Sequence, residues 1–332
     1  MHAIQMHTPG SADVLTLEET STPQLQHSKD LLVRLKAAGV NPVDTKLRSR
    51  GTFYPDKSPT ILGCDGAGIV EAVGDKVTRF KPGDEIYFCN GGIGGHPGNY
   101  AEIAVVDEAF AAHKPANISF AEAAAAPLVL ITAWEALFDR ANLETDESVL
   151  IHAGAGGVGH VAIQLAKAAG ARVITTVSND AKASFVTELG ADNVVNYTQT
   201  NFVAAVNNWT DGTGVDLGFD TVGGKVLEQT FEAVRYYGDI VTLLQPDKDT
   251  DLKTARLRNQ SICLELMLTP MHQHIREAQI HHAWILGECA KLFEDGRLKI
   301  HISHALPLAE AAEAHRLIEA GGMMGKVVLT ID

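Results

Sequence analysis

The residues best suited to chemistry lie together in Gly154-Ala155-Gly156-Gly157-Val158-Gly159, which satisfies GxGxxG. The run VLIHA precedes it and VGHVAIQLAKAAG follows it, so a strand, a loop and a helix are expected in that order. Glycines allow the tight turn and let backbone N–H groups approach a pyrophosphate. The N-terminus of the helix adds its positive partial charge at the same point. A plain Gly-rich turn without a ligand is the blander reading, and the correct strand–loop–helix order argues against it. The next strand, Arg172 to Val177, ends in Ser178-Asn179-Asp180, with Lys182 just beyond. An acidic residue there would hold the ribose hydroxyls of NAD. Ser178 instead leaves room for a 2′-phosphate with which Lys182 can pair, so NADP(H) is the expected cofactor. Asp180 would argue for NAD if the register moved by two, and Ser178 with Asn179 could simply cap the following helix.

The elements around this loop fall into two kinds. Before about residue 125, short runs at Leu31 to Val40, Gly66 to Val73, Glu85 to Cys89 and Tyr100 to Val106 alternate with turn signals such as Lys81-Pro82-Gly83-Asp84. They predict a mostly antiparallel β domain. Beyond it, strands at 148–153, 172–177, 193–195, 215–220, 239–244 and 261–267 alternate with helices at 157–169 and 181–189. That alternation predicts βαβ units and a parallel sheet. After Pro270 come helices at 278–293 and 308–320 and a last strand at 326–331.

With 332 residues the chain has room for two cores. Its 27 basic and 41 acidic residues leave a net charge of −14, which disfavours nucleic acid and anionic membrane as partners. The four cysteines, 64, 89, 263 and 289, are scattered and form no CxxC pair, so neither a disulfide scaffold nor clustered structural zinc is expected. The start, MHAIQMHTPG, does not read as a signal peptide, and the apolar stretch 123–138 is broken by Pro127 and Glu135. A cytoplasmic location is expected. No GxSxG, HExxH or Walker loop supports hydrolysis or phosphoryl transfer.

Further motifs occur in a fixed order: Ala37-Ala38-Gly39-Val40-Asn41-Pro42-Val43-Asp44, Leu62-Gly63-Cys64-Asp65-Gly66-Ala67-Gly68, Val73-Gly74-Asp75, Phe80-Lys81-Pro82-Gly83-Asp84 and the ending Gly325-Lys326-Val327-Val328-Leu329. With the glycine loop they resemble the medium-chain dehydrogenase/reductase superfamily, in its zinc-independent quinone oxidoreductase (ζ-crystallin-like) branch, over essentially the whole chain. The resemblance implies a GroES-like catalytic domain from residues 1–125 and 268–332 and a Rossmann domain from 126–267, with the cofactor in the cleft between them. It also implies a homodimer joined at the Rossmann sheet edge, near Ser261 to Met267. Zinc-dependent relatives carry Cys where this chain has Asn41, His where it has Cys64 and a third Cys near Leu128, so no metal is expected.

By the same resemblance, Asn41 faces the nicotinamide and the acceptor carbonyl, with Tyr54 and Thr132 as walls near the ring. A turn-capping role for Asn41 and a structural role for Asp44 are the plainer readings. Gly154, Gly156, Gly157, Val158, Gly159, Ser178, Lys182 and Tyr197 are implied around the phosphates and ribose. Val222 and Leu243 are implied at the nicotinamide ribose, and Lys326 is counted among the cofactor contacts. Gln245-Pro246-Asp247 departs from the usual glycine or serine there, and the Gly-rich insert 90–99 either flanks the cleft or is a mobile hairpin. The histidines 272, 274, 281 and 282 read as a solvated helix face and His152 as a packed core residue.

The expected reaction is hydride transfer from NADPH to a quinone or another electron-poor small molecule, which needs no strong Lewis acid. An alkenal or enone reductase is the alternative; it needs a general acid, for which Tyr54 is the candidate. A binding protein that holds NADPH without turnover is the alternative outside enzymes.

Overall fold

A computed structural model describes all residues, 1–332. The chain divides into two compact units, Met1–Ile131 with Leu268–Asp332 and Thr132–Met267. The sequence reading set the first boundary between 125 and 126. The division instead falls inside the apolar helix Pro127–Trp134, whose first turn is held in the first unit by the Leu128 N–H donating to Asp65 at 2.9 Å.

In the first unit the long strand Asp30–Val40 is the spine of a seven-stranded sheet. It pairs antiparallel with Asp65–Val73, with Ile103–Asp107 and with the C-terminal strand Lys326–Thr330. Glu85–Cys89 and Ala111–His113 extend the sheet beyond Asp65–Val73, and Ile302–Pro307 adds a parallel edge beside Lys326–Thr330. The end of the chain is thereby built into the sheet of its beginning. Gly39 is required in this spine: a Cβ there would meet the Ala124 carbonyl oxygen at 2.3 Å, so the helix Phe120–Ala125 lies directly against the strand. Pro42 then opens the helix Pro42–Arg50 at its first position, where a missing N–H costs nothing.

The second unit is a six-stranded, all-parallel sheet. Its spatial order is Asn193–Asn196, Arg172–Val177, Ser148–Ile151, Val215–Asp220, Val234–Thr242, Ser261–Leu264. In chain order that is 3-2-1-4-5-6, the doubly wound arrangement that binds ligands beyond the carboxyl ends of its first and fourth strands. Leu150, Ile174, Val206, Val215, Phe231 and Ile240 are all fully buried in its core.

Several elements differ from the sequence reading for local reasons. The first Rossmann strand stops at Ile151, because Ala153 turns into the left-handed region at φ 51°. The fifth begins at Val234 rather than 239; its register against Val215–Asp220 shifts there, and Tyr237 sits at φ 57° in the resulting bulge. The helices Phe202–Trp209 and Lys225–Ala233 are additions to the elements expected from the sequence. No helix is long and apolar enough to cross a membrane.

Candidate active site and cofactor loop

The loop of the second unit is closed by backbone packing. A Cβ on Gly159 would lie 2.4 Å from the Ala153 carbonyl oxygen, and one on Gly154 would lie 2.0 Å from Thr175 Oγ1. At Gly156, which precedes the helix Gly157–Ala168, the nearest atom would be 3.2 Å away. The tight positions therefore weld the helix to the strand, and the helix begins with amides that have no intrahelical acceptor. A pyrophosphate fits that cradle.

At the end of the second strand, Lys182 Nζ donates to Ser178 Oγ at 3.3 Å, while Asn179 Oδ1 caps the helix by accepting from Lys182 N at 2.9 Å. The cap therefore falls to Asn179 and leaves the Ser178 and Lys182 side chains to each other. Tyr197 and Val222 are exposed and Leu243 is half-buried. Asp220, which the sequence reading did not single out, organises this edge. Its carboxylate accepts from the Val222 and Gly223 N–H groups at 2.9 Å and from Thr242 Oγ1 at 2.8 Å. His152 is packed between Thr176 and Thr230, and burial lowers its pKa to about 4 against the opposing pull of Asp220. Thr132 begins this unit and is buried.

The first unit holds a different kind of site, a polar cluster sealed from water. Asn41 is fully buried; its Nδ2 donates to Asp65 Oδ2 at 2.9 Å and its Oδ1 accepts from Lys326 Nζ. Lys326 Nζ also donates to the Val40 carbonyl at 3.2 Å. Lys326, expected among the cofactor contacts, thus has its ammonium committed inside the first unit. Asp44 Oδ2 accepts from the Asn41 N–H at 2.8 Å and from the Tyr100 hydroxyl at 3.1 Å, and that hydroxyl lies 3.2 Å from His315 Nε2.

The electrostatics follow from burial. Desolvation raises Asp44 to about 7, helped by the charge of Asp65 and opposed by the Asn41 N–H, Lys326 and Tyr100. Asp65 is also raised by burial, and Lys326 is lowered by burial against the attraction of Asp65 and Asp44. Burial lowers His315 to about 4, with Arg48 adding to the effect.

Tyr54 stands elsewhere in the same unit, on the wall of a cavity of about 830 Å³. Asn90, Ile93, Gly95, Met271 and His274 share that wall, so the Gly-rich insert does flank a cavity. It is not a loose hairpin: Asn99 Nδ2 donates to the carbonyls of Gly63, Cys64 and Asn90 at 2.9–3.1 Å and pins it down. The four histidines do not form one solvated face. His272 stacks on Phe53 with centroids 4.5 Å apart, His274 meets Tyr54, His281 stacks on Trp284 and His282 is buried.

The family described as Alcohol dehydrogenase GroES-like domain matches residues 27–116, and that described as Zinc-binding dehydrogenase matches 189–329. A quinone oxidoreductase of Pseudomonas aeruginosa is 33% identical over 326 residues, covering 98% of both chains. The chain belongs to the medium-chain dehydrogenase/reductase superfamily, in its quinone oxidoreductase branch. A zinc-type alcohol dehydrogenase-like protein of Staphylococcus aureus is 34% identical, with 91% of each chain covered. The crystal structure of Escherichia coli quinone oxidoreductase complexed with NADPH superposes with a TM-score of 0.86 at 29% identity, over the full length of both chains.

Zinc-dependent members of this superfamily hold a catalytic metal on three side chains. The donors do not fit. A lysine ammonium already sits on Asn41 Oδ1, Leu128 offers only its backbone N–H, and a thiol with an amide is no substitute for three ligands. Cys64 is fully buried, its Sγ 4.0 Å from Asp44 Oδ1.

Proposed function

We propose that this oxidoreductase uses NADPH to reduce a quinone or a similar electron-poor carbonyl compound, without zinc. The observation that supports the reading is the Asn41–Lys326 contact, in which a lysine nitrogen occupies the side-chain oxygen of the residue that the resemblance aligns with a zinc ligand. The reduced nicotinamide, when bound, supplies a hydride to an electron-poor carbon. Gly156, Gly157, Val158 and Gly159 hold the pyrophosphate through their amides, with Gly154 closing the turn, and Ser178 with Lys182 takes the 2′-phosphate. Tyr197, Val222 and Leu243 border the ribose positions.

The cavity walled by Tyr54, Asn90 and Ile93 receives the acceptor. By the resemblance Asn41 turns its remaining amide N–H toward the acceptor carbonyl, although it is buried in the polar cluster and does not line this cavity. Thr132, a wall by resemblance, begins the second unit and is not part of that lining. Lys326 acts on the acceptor side by holding Asn41 and not as a cofactor contact. The edge strand Ser261–Leu264, with Leu264 and Leu266 exposed, joins two copies into a homodimer in the cytoplasm.

The test is NADPH oxidation by chelator-treated protein with ortho- and para-quinones and with an enone, NADH alongside. Turnover that survives chelation and prefers NADPH supports the reading. Turnover that needs added zinc, or none with any acceptor while NADPH binds, overturns it in favour of a metal enzyme or a binding protein.

A further inference from the structure

Tyr54 makes two contacts that a mere wall residue does not need. Its hydroxyl donates to the His272 carbonyl oxygen at 3.2 Å and lies 3.3 Å from His274 Nε2. A phenol has one proton, and that proton is used on His272, so the His274 contact is made by an Nε2–H donating to the phenol oxygen. Lys57 Nζ lies 5.7 Å from the centre of the same ring. Tyr54, Lys57 and His274 all line the 830 Å³ cavity, and His274 is also open to solvent. His274 holds this place with its backbone at φ 55°, a left-handed conformation that glycine would adopt without strain. A side chain kept at such a position against backbone preference points to a use for the side chain.

We propose that Tyr54 and His274 form a proton-delivery pair for a conjugated carbonyl acceptor, Tyr54 as the proton donor and His274 as the positioning residue that refills it from water. The idea rests on the acceptor reading of the cavity and extends it. When the acceptor has gained its electron pair, negative charge gathers on the carbonyl oxygen. The Tyr54 O–H bond breaks, its proton moves to that oxygen, and the bonding pair stays on the phenolate. The His274 Nε2–H then passes to the phenolate while Nδ1 takes a proton from water, so the pair ends neutral with the ring proton on Nδ1, and exchange with solvent restores Nε2–H. One proton is consumed per acceptor reduced, which completes the two-electron reduction. The same step converts an enone to its enol and a quinone to the keto tautomer of its hydroquinone, which becomes aromatic when water removes a proton from the reduced carbon and the second oxygen takes one up, so the cavity serves both acceptors.

The test compares wild type, Tyr54→Phe, His274→Ala and His274→Gly. With a benzoquinone, Tyr54→Phe is expected to lower kcat by ~100-fold, in the range of a lost general acid. His274→Ala and His274→Gly lower it by ~10-fold with KM little changed, and added imidazole restores their turnover. The glycine variant relieves the φ 55° strain and unfolds at the same or a higher temperature, which separates lost chemistry from lost folding. Unchanged kcat in both His274 variants, or a loss that imidazole does not repair, overturns the pair while leaving the proposed reaction intact. A second readout needs no cofactor: 4-nitrophenolate titrated into nucleotide-free protein binds at least five-fold more weakly to Tyr54→Phe and His274→Ala than to wild type. Equal binding by all of them overturns the pair. Should wild type reduce no acceptor, the proposed reaction fails, and this titration still decides on the pair.

Discussion

The glycine loop of the second unit and the buried cluster of the first are held in place by opposite means. The loop is a backbone device: Gly154 and Gly159 fit because they lack a Cβ, and the groups proposed to bind are amides that every residue carries. The Asn41 cluster is a side-chain device, in which an amide, two carboxyls, a phenol and an ammonium satisfy one another away from water. Changing a member of the cluster leaves polar groups unpaired in a low dielectric, which is costly in stability. Changing a member of the loop obstructs a ligand and costs affinity first. The comparison therefore predicts that damage in the first unit appears in unfolding and damage in the second in binding.

Lys326→Met is the strongest way to break that contrast. It removes the one ammonium among Asp44, Asp65 and Asn41 and is expected to cost about 3 kcal/mol or more, as uncompensated buried charges do. Thermal or urea unfolding measures it. A loss below about 1 kcal/mol would mean that water or a proton readily replaces the lysine.

Asp44 gives the next largest effect, and its sign is fixed. Its carboxyl titrates at about 7 in the folded chain against an ordinary 3.8, so between those values the folded state holds a proton that the unfolded state has lost. Stability must then fall as pH rises from about 4 to about 7, by a few kcal/mol, and level off above. Asp65 adds to the same trend, whereas Lys326, lowered by burial, acts on the alkaline side. Asp44→Asn should flatten the fall. Urea midpoints across pH 4 to 8 decide the matter, and a variant as steep as the wild type would assign the slope elsewhere.

The same contrast governs what could be read without a structure. The glycine loop was legible as strand, turn and helix because its parts are adjacent: a strand, four glycines and a helix within about twenty residues. The two-sheet architecture followed from the switch in periodicity, helped by family resemblance. The cluster was only half legible. Asn41, Asp65 and Lys326 stood in recognisable motifs, yet nothing in their spacing shows that the last strand slides beside the first motif and delivers an ammonium to an amide. Tyr100 and His315 carried no signal, because the contact that matters joins residues far apart in sequence. His274 looked like one of a solvated group, since its partner Tyr54 lies on another segment.

Gly159→Ala tests the loop's side of the comparison. A methyl group 2.4 Å from the Ala153 carbonyl oxygen forces the helix start away from the strand, so NADPH affinity should drop at least ten-fold, a loss of about 1.4 kcal/mol or more. The unfolding temperature should change less than in Lys326→Met. Fluorescence titration with NADPH beside a thermal melt gives both numbers, and a variant that unfolds early yet binds normally would erase the proposed distinction.

The smallest expected effect sharpens the comparison most, because it touches neither packing nor the loop backbone. Lys182 is half-buried, its backbone N–H is satisfied by Asn179 whatever its side chain, and its ammonium has only the Ser178 hydroxyl as partner. Lys182→Ala should therefore leave the helix and the melt unchanged. A 2′-phosphate beside Ser178 would lose one charge-assisted contact, worth about 1 kcal/mol at a partly exposed site and so about five-fold in affinity. NADH has no such phosphate and should bind the variant as it binds the wild type. The quantity to measure is the ratio of the NADPH and NADH dissociation constants at low salt, where screening is weakest. If both cofactors weaken together, Lys182 contacts a part of the nucleotide they share. If neither changes, the 2′-phosphate lies away from Ser178 and the NADP(H) reading loses its structural support.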